Sequence, residues 1–376
     1  MSIHVLMISK ALVIGAYHTK LEEMVRLGVT LDVVIPQDWG DQKAERIQGN
    51  GYTLYTLPVV LSGQNHFHFY PNLTALIKKM KPEIIHIDEE SFSFVTYLVM
   101  RQARTLEIPA IFFNWQNIFK VFPWPFSAME RYTLKYAAAG IAGSAAAKEV
   151  LIRKGCQIPI SIIPQFGVDT QIFFNKPQTE LRNKIINNPD SFVVGYVGRL
   201  VKEKGIDDLL QACMLLQREI HIVLIGTGSQ KSELERNAQL YGLSGRVHFV
   251  DYVKSTDMPQ YLNILDCLVL PSHTHQNWKE QFGRVLIEAM ACEVPVIGSD
   301  SGEIPNVIGD AGYIFPEGES ERLTSAIRQL MDNEEKRKQI GAAGRVRVLQ
   351  IYTQKKIASD TLKVYQMILQ NKQNRL

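Results

Sequence analysis

A chain of 376 residues is longer than a single hydrophobic core usually serves, so two domains of roughly 150 to 200 residues are expected. With 46% hydrophobic and 21% charged residues and a formal net charge of +3, the composition excludes a disordered chain and a protein that coats nucleic acid through bulk charge. The cysteines, Cys156, Cys213, Cys267 and Cys292, are widely spaced and form no C-x-x-C pair, which argues against a disulfide framework and a zinc module and fits a reducing compartment.

No apolar run approaches the roughly 18 residues of a membrane span. The opening Ser2-Ile3-His4-Val5-Leu6-Met7-Ile8 reads as a buried strand, too short for the apolar region of a signal peptide. A cytoplasmic location is expected, with the inner face of the membrane as the alternative.

Short apolar runs alternate with amphipathic stretches along the chain, the pattern of β-α units around parallel sheets. Strands are predicted at 3–8, 31–35, 83–87, 110–113, 140–142 and 161–163, with helices near 17–28, 71–80, 92–106, 126–138 and 145–154. Residues 164–190 are polar, contain prolines and lack a period, so they read as a linker. A second series has strands at 192–197, 221–225, 247–250, 267–270 and 294–297 and helices near 205–217, 230–241, 257–264, 283–291 and 303–308. Helical patterns follow at 319–331, 333–350 and 353–370. The expected architecture is α/β: two doubly wound, Rossmann-like domains, 1–175 and 176–350, facing a cleft, with a last helical segment, 351–376, packing back on the first domain.

The most informative stretch is Glu280-Gln281-Phe282-Gly283-Arg284-Val285-Leu286-Ile287-Glu288. One carboxylate stands on a loop before a helix N-terminus, where free N–H groups and the helix dipole attract anions. The other, Glu288, lies among Val285, Leu286, Ile287, Ala289 and Met290, where a buried carboxylate needs a polar partner. The plainer alternative is an exposed Arg284–Glu288 pair one turn apart, although Arg before Glu opposes the dipole.

Strand ends supply the other candidates, because open α/β sheets bind ligands beyond the carboxyl ends of their strands. Gly198-Arg199 and Lys204-Gly205 follow the strand 192–197, and Arg199 with Lys204 suits an anion such as a diphosphate; incidental loop charge is the alternative. Gly226-Thr227-Gly228-Ser229 allows close backbone approach to a ligand, with Ser229 as a helix cap, or is simply a tight turn. His273 and His275 precede Glu280, and their spacing favours polar-loop or sugar contacts over a metal. Ser301 reads as the N-cap of the next helix.

In the first domain, Lys10 and Gly15 stand on the loop after the first strand. His86-Ile87-Asp88-Glu89-Glu90 ends another strand, as a solvated charge run or as groups that grip hydroxyls. Asn114 and Trp115 begin the aromatic segment 114–126, which would stack on sugar rings, pack against helices or touch a membrane surface.

Together these motifs resemble the retaining nucleotide-sugar glycosyltransferases of the two-domain GT-B fold, in family 4, also called group 1. The resemblance rests on Gly198-Arg199 with Lys204-Gly205, on Pro271-Ser272, on Glu280 and Glu288 with Ala289-Met290-Ala291-Cys292-Glu293-Val294-Pro295-Val296-Ile297, and on Ser301-Gly302-Glu303. It implies that Arg199 and Lys204 hold the donor diphosphate, that Glu280 touches the transferred sugar and that Glu288 binds the ribose hydroxyls. It also implies donor contacts from the backbone around Phe282, Gly283 and Arg284; Gly15, Gly198, Gly226, Gly228 and Val285 are expected on the donor side as well, and the acceptor side is expected at His86, Asp88, Glu89, Asn114 and Trp115. The donor would be a nucleoside-diphosphate sugar and the acceptor a carbohydrate, a lipid or a small molecule, with no metal or cofactor and no nucleic acid. Three departures stand out: Asn114 where a His is common, Glu293 where a Gly is usual, and a single Gly15 where a Gly pair is common. A non-catalytic sugar-nucleotide-binding subunit, an epimerase or a phosphorylase is the alternative.

Overall fold

The computed structural model describes residues 2–45, 50–186, 188, 190–216 and 218–374. The last residue of the helix expected at 205–217, residues 187 and 189 of the expected linker, and residues 375 and 376 of the expected C-terminal segment lie outside the described residues. The chain divides into two units, Met1–Gly167 with Gln354–Leu376, and Val168–Thr353.

The first unit is built on a seven-stranded parallel sheet in the order Thr53–Leu57, Val29–Pro36, Ile3–Ile8, Ile84–Ile87, Ala110–Asn114, Ala139–Ala142, Ile160–Ile162. Ile3–Ile8 is apolar almost throughout because both of its faces are covered. Val5 and Met7 join a core with Ile357, Val364 and Tyr365 of the helix Gln354–Gln373. Leu6 and Ile8 meet Val95, Val99 and Phe112 on the other side. Strand order reverses between Ile3–Ile8 and Ile84–Ile87, and the register pairs Ile8 with Ile87, so Ser9 and Asp88 emerge together. The Gln354 side chain accepts from Gly167 N–H at 3.1 Å and donates to Gly167 O at 2.9 Å.

The second unit holds a six-stranded parallel sheet, ordered Val247–Val250, Ile220–Ile225, Phe192–Val197, Cys267–Leu270, Val296–Ser299, Tyr313–Phe315. Its reversal falls between Phe192–Val197 and Cys267–Leu270, the two strands whose following loops carry Lys204 and Glu280. The two doubly wound, Rossmann-like α/β units are those of the expected fold class.

Among the described residues, a two-stranded antiparallel pair, Asp38–Trp39 with Gln42–Lys43, two edge strands and a helix depart from the expected pattern. Thr53–Leu57 and Tyr313–Phe315 are strands at sheet edges, half-covered and too polar or too short to read as buried runs. The stretch read as a linker contains a helix, Thr179–Ile185, with no buried residue. It is held by Arg182, which donates to Asp266 Oδ2 at 2.9 Å, to Ile264 O at 2.5 Å and to Ser191 O at 2.7 Å. Anchoring by one guanidinium leaves no apolar period in the sequence.

Neighbouring strands of the second sheet bring His221 Nδ1 within 2.8 Å of His248 Nε2, with the rings stacked. One ring must donate and the other accept, so the pair requires neutral imidazole, and burial lowers both pKa values. A folded pKa below the unfolded one means that the stabilisation is complete above the ordinary value of 6.5 and is lost as pH falls below it. Calorimetry is expected to show a falling Tm between about pH 7 and about pH 5, with a shallower slope in His248→Gln. An unchanged slope in that variant removes the pair from acid sensitivity.

Candidate functional site

In the second unit the loop after Phe192–Val197 is laced to the loop after Ile220–Ile225. Gly198 N–H donates to Ile225 O at 3.0 Å, Leu200 N–H to Thr227 O at 2.9 Å and Gln230 N–H to Leu200 O at 2.9 Å. A Cβ on Gly226 would stand 2.0 Å from Gly198 O, and one on Gly228 2.2 Å from Leu200 O. The two glycines are therefore demanded by this loop-to-loop contact. The expected Ser229 cap does not form: the helix is Lys231–Leu240, its N-cap is Gln230, and no side chain caps it.

Lys204 ends a single turn of 3-10 helix and donates from Nζ to Glu280 Oε2 at 2.5 Å. Ser272 Oγ donates to the same oxygen at 2.8 Å. The Lys204 ammonium also lies 5.0 Å from the Trp278 ring centroid, a cation–π contact. Glu280 is held by its backbone too, since its carbonyl accepts from Glu303 N–H at 3.1 Å and a Cβ on Gly302 would stand 2.0 Å from that oxygen. Arg199 is different: its side chain is 67% exposed and only loosely paired with Glu203, at 3.7 Å. An ion pair at that exposure contributes little and leaves the guanidinium able to meet an anion.

Phe282 and Gly283 are buried, Val285 is half-buried, and Gly283 caps the helix Arg284–Ala291 in a left-handed conformation with no side-chain cap. Arg284 Nε meets Glu288 Oε1 at 2.7 Å. The one-turn pair thus forms, yet Glu288 is not a surface acid, being 9% exposed. Burial raises its pKa and Arg284 pulls it back.

His273 Nε2 contacts Asp208 Oδ2 at 2.6 Å, and that carboxylate raises the imidazole pKa. His275 exchanges backbone bonds with Trp278. Ser301 does not cap the next helix, whose N-cap is Glu303; its Oγ lies 3.0 Å from Thr274 Oγ1. Among the described residues no group of His, Cys, Asp or Glu has the arrangement of a metal site.

The first unit has its own strand-end cluster. Ser9 Oγ donates to Asp88 Oδ2 at 2.7 Å, Lys10 N–H donates to Glu89 Oε1 at 2.8 Å, and Lys10 Nζ pairs with Glu89 Oε2. His68 Nε2 stands 3.8 Å from Glu89. Asp88 and Glu89 are buried, so the charge run is not a solvated face. Burial opposes ionisation of Glu89, but Lys10 and His68 together hold its pKa at about 2. His86 turns into the core, with Nδ1 2.6 Å from the Tyr365 hydroxyl. Asn114 donates to Gln116 O at 3.3 Å and Trp115 Nε1 donates to Gln165 Oε1 at 2.8 Å. Gly15 N–H donates to Glu45 Oε2 at 2.7 Å.

Lys20 of this cluster escaped the sequence reading, and Glu90 was read only as part of the acid run. Lys20 is buried and donates to Gln165 O at 3.0 Å; burial lowers its pKa, with Asp88 opposing. Nothing in its helix pattern marks it. Glu90 accepts Trp115 N–H at 3.1 Å, while its Oε2, Asp88 Oδ1 and Asn114 Oδ1 are enclosed acceptors with no donor. Its signal was the acid run itself, which did not say which member would lack a cation.

The sequence profile of "Glycosyl transferases group 1" matches residues 177–347, and that of "Glycosyltransferase Family 4" matches residues 18–172. The chain belongs with the GT-B glycosyltransferases. It is 30% identical over 221 residues to the capsular polysaccharide biosynthesis glycosyltransferase CapM of Staphylococcus aureus, covering 56% of each protein. It is 28% identical to the sulfoquinovosyl transferase SQD2 of Arabidopsis thaliana, over 73% of this chain and 55% of the relative. The chain thus spans about half the length of the curated relatives it matches. Sucrose-phosphate synthase of Thermosynechococcus elongatus superposes with a TM-score of 0.74 at 18% identity, covering 98% of this chain and 100% of that one. Anabaena HepE in complex with UDP-glucose gives 0.70 at 18% identity, covering 99% of each chain. At such identities the likeness is one of fold.

Burial raises the Glu90 pKa from 4.5 to about 7, with Lys10 and the Trp115 amide opposing. A folded carboxyl that keeps its proton longer than the unfolded one destabilises the fold increasingly as pH rises from 4.5 to about 7. Glu90→Gln keeps an acceptor for Trp115 and is expected to raise Tm at about pH 8, the gain vanishing below about pH 4.5. Equal melting of both proteins at about pH 8, by differential scanning fluorimetry, contradicts the assignment.

Proposed function

We propose that the protein transfers a hexose from a nucleoside-diphosphate sugar to an acceptor hydroxyl with retention of the anomeric configuration. The observation that carries this reading is the strand-end cluster of the second unit, where Lys204, Glu280 and Ser272 share one carboxylate oxygen beside the exposed Arg199. Two cations of this kind neutralise a diphosphate as it departs, and the positive end of the Arg284–Ala291 helix dipole adds to them. These charges supply what a metal supplies in other phosphate sites, so the proposal includes no metal or organic cofactor. The names of the relatives support a sugar-transferring role, and the UDP-glucose complex of HepE supports a nucleotide sugar as donor.

Lys204 has more than one N–H to give, so it can stay on Glu280 and still donate to a phosphate oxygen. Glu280, positioned by Lys204, Ser272 and the Glu303 amide, is assigned to hydroxyls of the transferred sugar. Glu288 is assigned to the ribose hydroxyls, with Arg284 opposing the burial that raises its pKa. Backbone groups of Phe282, Gly283, Arg284 and Val285 complete the donor side, with Gly198, Gly226 and Gly228 shaping the facing loops. Gly15 is assigned to the donor as well. The transition state is oxocarbenium-like, and the leaving diphosphate is where negative charge grows.

The acceptor is assigned to the first unit. Asp88 Oδ1, Asn114 Oδ1 and Glu90 Oε2 are acceptors without donors, which suits the hydroxyls of a carbohydrate, a glycolipid or a small polyol. Glu89 and His86 serve this end by position, one neutralising Lys10 and the other tied to Tyr365. The cysteines are free thiols, as in a cytoplasmic protein.

Incubation with radiolabelled nucleotide sugars and an acceptor panel tests the reading. Nucleoside diphosphate released only with acceptor present supports transfer; tight binding without turnover across the panel favours a non-catalytic binding subunit. Arg199→Ala and Lys204→Ala should each lower kcat/KM by roughly a hundredfold or more with an unchanged circular dichroism spectrum. Wild-type turnover by both variants removes them from the mechanism. Glu288→Gln should weaken nucleotide binding by roughly tenfold in calorimetry, and an unchanged Kd refutes the ribose assignment.

A further inference from the structure

Two surface segments of the first unit end in exposed apolar side chains. Leu61 and Phe67 belong to one; Phe119, Val121 and Trp124 belong to the other, with Val121 and Trp124 80% and 81% exposed. They share an aromatic base: Phe67 lies 4.9 Å from Phe126, His66 lies 6.0 Å from Phe122, and Phe122 lies 4.4 Å from Phe92. Single exposed apolar residues are ordinary, but a contiguous group of large ones marks a surface that meets something apolar.

Charge identifies the partner. Residues 58–82 and 114–129, which form both tips, contain no Asp or Glu. The exposed Lys120 sits between Phe119 and Val121, and Arg153 stacks over Phe119 at 4.5 Å. Glu130, at the base of the second tip, is buried and neutralised by Lys154 at 2.7 Å. Tryptophan and phenylalanine beside cations, with carboxylates excluded, match the headgroup region of an anionic bilayer, where the rings settle among the acyl carbonyls. No helix of the described residues is long and apolar enough to cross a membrane, so the contact is one of surface docking.

We infer that the tips carrying Leu61, Phe67, Phe119, Val121 and Trp124 dock the first unit onto an anionic lipid surface. The segments bearing the tips also run into the polar cluster: His68 follows Phe67 and faces Glu89, and Asn114 and Trp115 begin the second segment. A docked tip therefore holds the enclosed acceptor oxygens of Asp88, Glu90 and Asn114 close to the membrane. Resting on the transfer reading, this makes the acceptor a hydroxyl of a membrane-borne molecule.

The test is co-sedimentation of the full chain with vesicles of phosphatidylcholine alone or mixed with phosphatidylglycerol. Binding is expected to the mixed vesicles and to fall as salt rises. The double variant Val121→Asp, Trp124→Ser should bind roughly tenfold more weakly or worse, with unchanged Tm. In vesicles carrying brominated phosphatidylcholine, tryptophan fluorescence should be quenched, and Trp124→Phe should remove most of the quenching while retaining binding. Wild-type protein that stays in the supernatant with mixed vesicles at low salt overturns the inference, as does a double variant that sediments like wild type. A wild-type dimer that the double variant converts to monomer, by light scattering, also overturns it, since the face then joins two copies of the chain. Nucleoside-diphosphate binding measured without vesicles keeps the readings apart: its loss with vesicle binding intact sinks the transfer reading and leaves docking in place.

Discussion

A carboxylate enclosed at the carboxyl end of a parallel sheet has to be answered by a cation, and each unit supplies that cation from the loop across its point of strand reversal. In the second unit Lys204, after Phe192–Val197, reaches Glu280, after Cys267–Leu270. In the first, Lys10, after Ile3–Ile8, reaches Glu89, after Ile84–Ile87. The carboxylate–cation contact fixes two loops at once, because leaving either partner buried and alone would be far costlier than breaking a surface pair. Whatever either cluster binds is met by loops whose spacing is already set.

The two clusters differ in what they leave over. In the second, one carboxylate oxygen is held by both Lys204 and Ser272, and the spare capacity is positive: an exposed guanidinium. In the first, the cations are consumed by Glu89 or sealed in as Lys20 is, and the spare capacity is a set of oxygen acceptors. Surplus donors suit an anion and surplus acceptors suit hydroxyls, a division of labour that follows from which partner each side chain has already found.

The core strands were legible because burial on two faces writes a continuous apolar run, as in Ile3–Ile8 and Cys267–Leu270. Edge strands such as Thr53–Leu57 carry no such run, and Thr179–Ile185 has no apolar face to read. Among candidate site residues, Lys204 and Glu280 were each visible in a motif, though not as partners, whereas Lys20 was not, since its burial depends on Gln165 far along the chain. Ser229 and Ser301 show the limit of local capping rules: each sits near a helix start, but the first helical turn begins further on than the rule assumes. The Arg284–Glu288 pair shows the limit of dipole arguments, since a few tenths of a kcal/mol from pair orientation are outweighed by the need to neutralise a buried acid.

The amide of Gln354 clasps both backbone groups of Gly167, so the chain leaves the first unit and re-enters it at the same place. Topologically, Val168–Thr353 is an insertion, continuous in sequence and furnished with its own sheet. The first unit, by contrast, is finished only when Ile357, Val364 and Tyr365 arrive from beyond that insertion to cover Val5 and Met7. During synthesis the earlier half of that core must wait, half-clothed, until the intervening sheet has been made.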